Sequence, residues 1–517
     1  MARIFMTGAE TGDQLEWTTF RGWMAWYVNF VVSNQVHTGS YSFFNSALYG
    51  DEYLIKTFDN ALTTIYGSLW YRWQYYTGGW GDSWFGSTSL IWFRGPGKVQ
   101  CGIGVQYNGI LRAYAGMPYG TDAGDVYLAS SPIYSVIYER WNLIEFKIVV
   151  HPTNGIFQVR INGIEPLAID LTDVNTRGDV VANSNNMLDF RMGNYWRVNG
   201  VFSSWYDDII LDDVEWTNGG RIVRLPITHN GSSNVWVPST GINYQCIDEV
   251  PANSADYIST STRGASDLFT TSSMPGVSCN VKSVKVSAHA SKDGGPSSAV
   301  LQTFIRSGLA IDQDAQRPLK YGDQLYDSTI FQTSPLTSLP FTIPEVNSLE
   351  WGVQFAYSGD LFVIPQQLST LSLTLGFPAA TVNDSLGLSG DQVITLGGDV
   401  LPVIDLTQWN LPGIYSASLK LNCINHNSES WFTLDIEGPK TLSFWWAVDS
   451  EMNCDYLRFY IDDVEQHKIS GPSSPLVWAQ KTYSIDSGSH TLKWRYSTDY
   501  SVFIGLNAGW VDSVQIT

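Results

Sequence analysis

Positive charge is what this sequence has least of. Its 517 residues carry 29 Lys and Arg against 49 Asp and Glu, a formal net charge of −20, and charged residues of all kinds make up only 15%. Nucleic-acid binding needs a cationic footprint, and an acidic chain without a basic stripe excludes it. Cysteine is also sparse. Cys101, Cys246, Cys279, Cys423 and Cys454 are odd in number and far apart, which argues against a disulfide framework. Free, buried thiols are the favoured reading over the pairs Cys246/Cys279 and Cys423/Cys454. No Cys-x-x-Cys occurs, so a thiolate zinc site is not expected.

Long apolar runs are missing. The most apolar window, Trp23 to Val32, contains Asn29 and falls far short of the roughly 20 residues that span a bilayer. The opening ten residues hold one basic residue and a short apolar patch, not the longer core of a secretory signal. A soluble chain with no membrane insertion is the expectation. Catalytic signatures are missing too. The seven histidines form no His-Glu-x-x-His, and neither a Gly-x-Ser-x-Gly elbow nor a phosphate loop occurs. The expectation is a non-enzymatic protein, with an active site assembled from distant residues as the route sequence cannot see.

What is present is apolar and aromatic. Hydrophobic residues make up 44% and aromatics 14%, with 21 Trp and 27 Tyr, enough to fill cores and to exclude disorder. The apolar period is two nearly everywhere. Ile144, Phe146 and Ile148 alternate with Glu145 and Lys147; Phe157, Val159 and Ile161 alternate with Gln158 and Arg160; Leu457, Phe459 and Ile461 repeat the pattern. Turn residues such as Asn162-Gly163 and Asp293-Gly294-Gly295 punctuate these runs. Such alternation between turns predicts all-β sandwiches. Changes of texture suggest a Trp-rich unit over 1–217, a Ser/Thr-rich unit over 221–358, an aromatic-poor linker or strand-built connector over 359–400, and a final unit over 401–517. Trp205-Tyr206-Asp207-Asp208 and Trp510-Val511-Asp512 look like echoes. Each would be a last strand returning beside the first, its Asp bonding loop amides.

The opening Phe5-Met6-Thr7-Gly8-Ala9-Glu10 is similar to the start of many bacteriophage virion proteins. Trp141 to Lys147, Gly155 to Gly163 and Tyr206-Asp207-Asp208 together resemble a concanavalin A-like (laminin G-like) sandwich over residues 1–217. Arg221 to Pro226, Trp236 to Gly241, Ile247-Asp248-Glu249 and Glu345 to Val353 are similar to a β-rich phage structural module. Leu442 to Trp446, Leu457 to Asp462, Gly488 to Trp494 and Trp510-Val511-Asp512 look like a jelly-roll, a module type that often binds glycans or proteins. The resemblance implies a concanavalin A-like β-sandwich, a β-rich middle domain and a C-terminal jelly-roll in a virion structural protein. It implies a tail-fibre or baseplate-associated role in host-surface glycan attachment, on the surface of a particle assembled in the host cytoplasm. Partners would be other virion proteins and a host surface glycan, in a homo-oligomer for which a trimer is plausible. Capsid decoration or a head fibre, and a glycan depolymerase, are the alternatives.

Three sets of residues are candidates for chemistry. The run Trp70 to Phe85 is the densest aromatic feature. Its Gly-Gly-Trp-Gly-Asp stretch must be a loop, and Trp80, Asp82 and Trp84 would form a carbohydrate-binding platform there, against the plainer reading that these rings fill a core or an interface. Asp207 and Asp208, and Asp512 in the last unit, are candidate structural calcium ligands, with turn capping the more ordinary role for such residues. In the acidic stretch Asp207 to Glu215 the spacing is wrong for the Glu-x-Asp-x-x-Glu string of laminarinase-type enzymes, so no catalytic residue is assigned.

Overall fold

The computed structural model describes residues 3–517 apart from 22–29, 47–51, 77–86, 119–124, 134, 164–166, 195–200, 218, 272–279, 293–298, 358–365, 377–381, 389–391, 406–407, 409, 411–416, 423–425, 474, 501 and 503. Among the described residues the regular secondary structure is nearly all antiparallel strand, as the period of two predicts. It divides into two compact units, Met1–Ala379 and Ala380–Thr517. No helix among the described residues is long and apolar enough to cross a membrane.

The first unit opens with a sandwich. One sheet runs, in spatial order, Ile169–Val174, Gly155–Ile161, Asn142–Val149, Thr64–Tyr76, Val201–Asp212, Ser42–Ser46 and Val31–Val32, with Arg3–Thr7 also paired to Val201–Asp212. The facing sheet runs Val126–Ser130, Leu111–Ala115, Val99–Gln106, Ser87–Arg94, Met187–Asn194, Glu52–Leu62 and Thr19–Arg21. Alternation decides which side chains go in. Phe157, Val159 and Ile161 are buried while Gln158 and Arg160 are only partly so. Trp17 ties the layers, edge-on to Phe43 of the first sheet and stacked on Phe190 of the second. Tyr71 and Trp73 of the aromatic run also lie in this core.

A second pair of sheets follows within the same unit. One holds Val237–Pro238, Ile258–Thr260, Gln366–Gly376, Ser283–Lys292 and Gln324–Asp327, with Ile222–Leu225 on Gln366–Gly376. The other holds Ile227–Asn230, Ser266–Thr271, Glu350–Tyr357, Ala299–Ser307 and Ala310–Gln313, with Arg317–Pro318 on Ala299–Ser307. The stretch 359–400, read from sequence as a connector, therefore divides differently. Gln366–Gly376 pairs on both sides inside the middle domain. Val382–Ser385 and Ile394–Gly398 belong to the last unit, which begins near 380 rather than 401 because Leu386 and Leu388 enter its core.

The last unit is built on one long antiparallel strand pair, Glu429–Asp449 against Ala479–Ser497. Near Gly438 the register shifts. The first half then carries Ile394–Gly398 on its flank, and the second half carries Ala508–Ile516. Twelve residues of straight strand would separate Phe432 from Phe444 by about 40 Å. Both rings nevertheless touch Trp494, with centroids at 4.7 and 5.1 Å. The strand pair thus folds over and supplies both layers of a sandwich. Gly438 sits at the fold, where a Cβ would lie 1.8 Å from the Asp486 carbonyl oxygen. The echo of last strands holds only in part. Val201–Asp212 lies beside the first strand of its sandwich, whereas Ala508–Ile516 lies between Ser418–Asn422 and Glu429–Asp449.

Candidate functional site

The outer face of the seven-stranded sheet gathers residues that the sequence scatters. Cross-strand pairing sets Ile55, Arg191, Trp92, Gly102, Tyr114 and Tyr127 in one transverse row, since directly paired residues share a face. Tyr53 and Asp189 flank Ile55 and Arg191 at a spacing of two, and Arg94 pairs with Asp189. Arg112 and Tyr114 alternate with the core residues Leu111, Ala113 and Ala115. Arg21 pairs with Tyr53 at the far edge. The face thus brings together Arg21, Arg94, Arg112 and Arg191, with Asp189 among them, on a chain whose net charge is −20.

At one end the groups are locked. Arg191 donates through Nε to Asp189 at 2.6 Å and lies 5.5 Å from the Tyr53 ring centroid. The Tyr53 hydroxyl accepts from Arg21 at 3.4 Å, and Tyr53 is edge-on to Trp92 at 5.0 Å. At the other end a surface is open. Tyr127 is 51% exposed. The Arg112 guanidinium lies 5.4 Å from its ring and Tyr114 sits edge-on at 5.9 Å. Among the described residues Arg112 Nε is buried with no hydrogen-bond acceptor. An exposed ring beside a half-buried guanidinium can stack a sugar ring and bond an anionic substituent.

The sequence-predicted residues fall elsewhere. Trp80, Asp82 and Trp84 lie outside the described residues. On the strand that leads to them, Trp70 stacks on His37 at 3.8 Å, and Gln74 donates to the Glu139 carboxylate at 2.6 Å. Arg72 donates to the Glu139 carbonyl.

Asp207 and Asp208 are fully buried. Asp207 Oδ1 accepts from the Asp208 amide at 2.8 Å, and Oδ2 accepts from the amides of His37 and Thr38 at 2.9 and 3.1 Å. Asp208 Oδ1 accepts from the Thr38 hydroxyl and the Ile222 amide at 2.8 and 2.7 Å, and its Oδ2 meets His37 Nδ1 at 2.8 Å. Every oxygen of the pair is engaged with protein, the arrangement of a loop cap. A cation bound there must compete with these contacts. Burial, then the charges of Asp208 and Glu10, hold the Asp207 carboxyl well above the usual range. Burial holds the His37 imidazole below its own. Asp512 is similarly used. Its Oδ2 accepts from the Asn410 amide at 2.8 Å and its Oδ1 from the Ser513 hydroxyl at 3.1 Å. Both Asp207 and Asp512 precede a residue at positive φ, Asp208 at 45° and Ser513 at 52°, where the strand bulges and the carboxylate reaches across to a loop.

Three of the segments that carry the sequence resemblance, around Gly8, Asp207-Asp208 and Ile222, meet at a seam between the first sandwich and the middle domain. Glu10 accepts from the amides of Ser40 and Tyr41 at 3.0 and 3.1 Å. Gly39, at φ +71°, leaves the room, since a Cβ there would fall 2.3 Å from that carboxyl group. Burial raises the Glu10 pKa to about 7. Nearby, buried Lys285 donates to Glu16 and, at 3.1 Å, to the Met6 carbonyl, with Asp327 at 3.6 Å. Burial opposes the Lys285 charge, but Asp327 and Glu16 outweigh it and hold the ammonium above its usual range.

No family model matches the chain, and no curated protein sequence matches it. Among solved structures it is similar to a cellulose-induced protein at 18% identity, over 36% of this chain and 84% of that one, with a TM-score of 0.25. It is similar to an alginate lyase at 10% identity, over 37% and 80%, with a TM-score of 0.26. It is also similar to the binding domain of botulinum neurotoxin DC, solved in complex with rat synaptotagmin II, at 12% identity, over 68% and 92%, with a TM-score of 0.24. At these identities and TM-scores none of them bears on what this chain binds.

Proposed function

We propose that this chain is a structural protein of a bacteriophage particle, tail-fibre or baseplate-associated, that contributes to attachment on host surface glycan. The virion assignment is supported by the ordered sequence resemblance, whose Gly8-Ala9-Glu10 and Arg221 to Pro226 segments meet at the seam. The glycan assignment rests on one observation, the exposed Tyr127 ring beside the half-buried Arg112 guanidinium on an arginine-rich sheet face. That chemistry fits a glycan carrying carboxylate groups. The ring takes the apolar face of a sugar, and the guanidinium takes the carboxylate. Binding rather than turnover is the assigned activity, and copies displayed together would multiply weak contacts.

A glycan array probed with the full chain tests the binding. Retention on uronate-bearing glycans, lost in Arg112→Ala and in Tyr127→Ala, is the expected result. Binding that both variants retain contradicts the assigned face. A density map of the intact particle with this protein labelled tests the placement: label at the tail tip is expected, and label over the head lattice overturns the tail assignment in favour of capsid decoration.

A further inference from the structure

One corner of the last unit brings together a donor set that no sequence motif announces. The loop after Glu429–Asp449 presents Glu451 and Cys454, and Asp499 follows the end of Ala479–Ser497. One ligand atom from each of Glu451, Cys454 and Asp499 lies within 4.8 Å of the other two, all partly buried. Cys454 is a free thiol, and it hydrogen-bonds the Glu451 carboxylate.

The backbone holds this corner independently of the three side chains. The Asp455 amide donates to the Glu451 carbonyl at 3.3 Å, the Ser450 hydroxyl to the Asp455 carbonyl at 3.0 Å, and the Asn427 amide to the Asp499 carbonyl at 2.7 Å. A second observation points to a ligand. Asp455 is 1% exposed, and its Oδ1 accepts from the Asp499 amide at 2.9 Å. Among the described residues its Oδ2 is buried without a hydrogen-bond partner; the charges of Asp499 and Glu451 disfavour its ionised form and that of His426 favours it. A buried carboxylate oxygen with no donor is costly, and a cation beside it lowers that cost.

We propose that Glu451, Cys454 and Asp499 hold a divalent metal ion of the zinc class, with a water molecule completing the shell. Tetrahedral zinc, with bonds of about 2.0–2.3 Å, sets its donors roughly 3.3–3.8 Å apart, so small side-chain rotations close the cluster. Calcium is disfavoured, because it takes 6–8 oxygens and this corner supplies few, alongside a sulfur. On binding, the Cys454 thiol loses its proton to solvent and the metal takes the place of the S–H···O bond. The ion would pin the 450–455 loop to the strand end at Asp499.

The test uses the full chain, reduced and stripped with a chelator, then titrated with Co2+ and followed by thiolate-to-cobalt charge-transfer absorption. One Co2+ per chain is expected, displaced by stoichiometric Zn2+ and untouched by excess Ca2+. Cys454→Ser should abolish the band, and Asp499→Asn should keep it while weakening affinity at least about tenfold. Circular dichroism confirms that both variants are folded. Absence of the band in the wild type, its persistence in Cys454→Ser, or displacement of cobalt by Ca2+ overturns the assignment.

Discussion

At the scale of single residues, the buried charges at the seam set both stability and its pH dependence. Lys285 is buried against Glu16 and Asp327. Breaking such a cluster by removing one partner leaves an uncompensated buried charge and costs about 3–5 kcal/mol. Lys285→Met should therefore lower the stability of the first unit by that amount in urea unfolding. Glu16→Gln in the same chain should restore part of the loss, and a Lys285→Met chain as stable as the wild type would show that the cluster does not hold the seam. Glu10 acts through pH. Its folded pKa is about 7 against an ordinary 4.5, so the folded state binds the extra proton between these values. Its contribution is fully present below the unfolded pKa and is lost as pH rises through about 7, at most about 3 kcal/mol. The wild type should lose stability relative to Glu10→Gln as pH rises from 5 to 7.5, as followed by denaturation midpoints; parallel profiles would contradict the assignment.

At the scale of elements, the folded-over strand pair makes a local prediction. Gly438 stands where a Cβ would meet the Asp486 carbonyl at 1.8 Å. Gly438→Ala should speed amide exchange along Glu429–Asp449 and Ala479–Ser497 and leave the Asn142–Val149 strand of the first unit unchanged; unaltered exchange would mean the strand pair relaxes without cost. The strands themselves were legible in sequence wherever one face is wet. Phe157, Val159 and Ile161 against Gln158 and Arg160 announce both the strand and its buried side. Gln366–Gly376 was not legible as a central strand, because its partners Ile222–Leu225 and Ser283–Lys292 lie far earlier in the chain. The candidate site was legible in halves. Alternation in Leu111 to Ala115 shows that Arg112 and Tyr114 share an outward face. Nothing local shows that Tyr127, Arg191 and Arg21 join it, since that depends on the pairing of separate strands. The metal corner was hidden for the same reason: Cys454 and Asp499 come from opposite ends of a strand path, and no Cys-x-x-Cys marks them.

At the scale of the whole molecule, the contrast between a net charge of −20 and a four-arginine sheet face is the feature on which the account turns. The acidic remainder repels an anionic polymer, so the cationic face decides where one can dock. The most direct measurement is the binding isotherm of the full chain for a uronate polysaccharide at low and high salt, compared with its neutral, carboxyl-reduced form. Saturable binding should weaken with salt, disappear for the neutral polymer and fall at least about tenfold in Arg112→Ala, as loss of a charged hydrogen bond implies. Equal affinity for the charged and neutral polymers, or an unchanged isotherm in Arg112→Ala, would contradict the account.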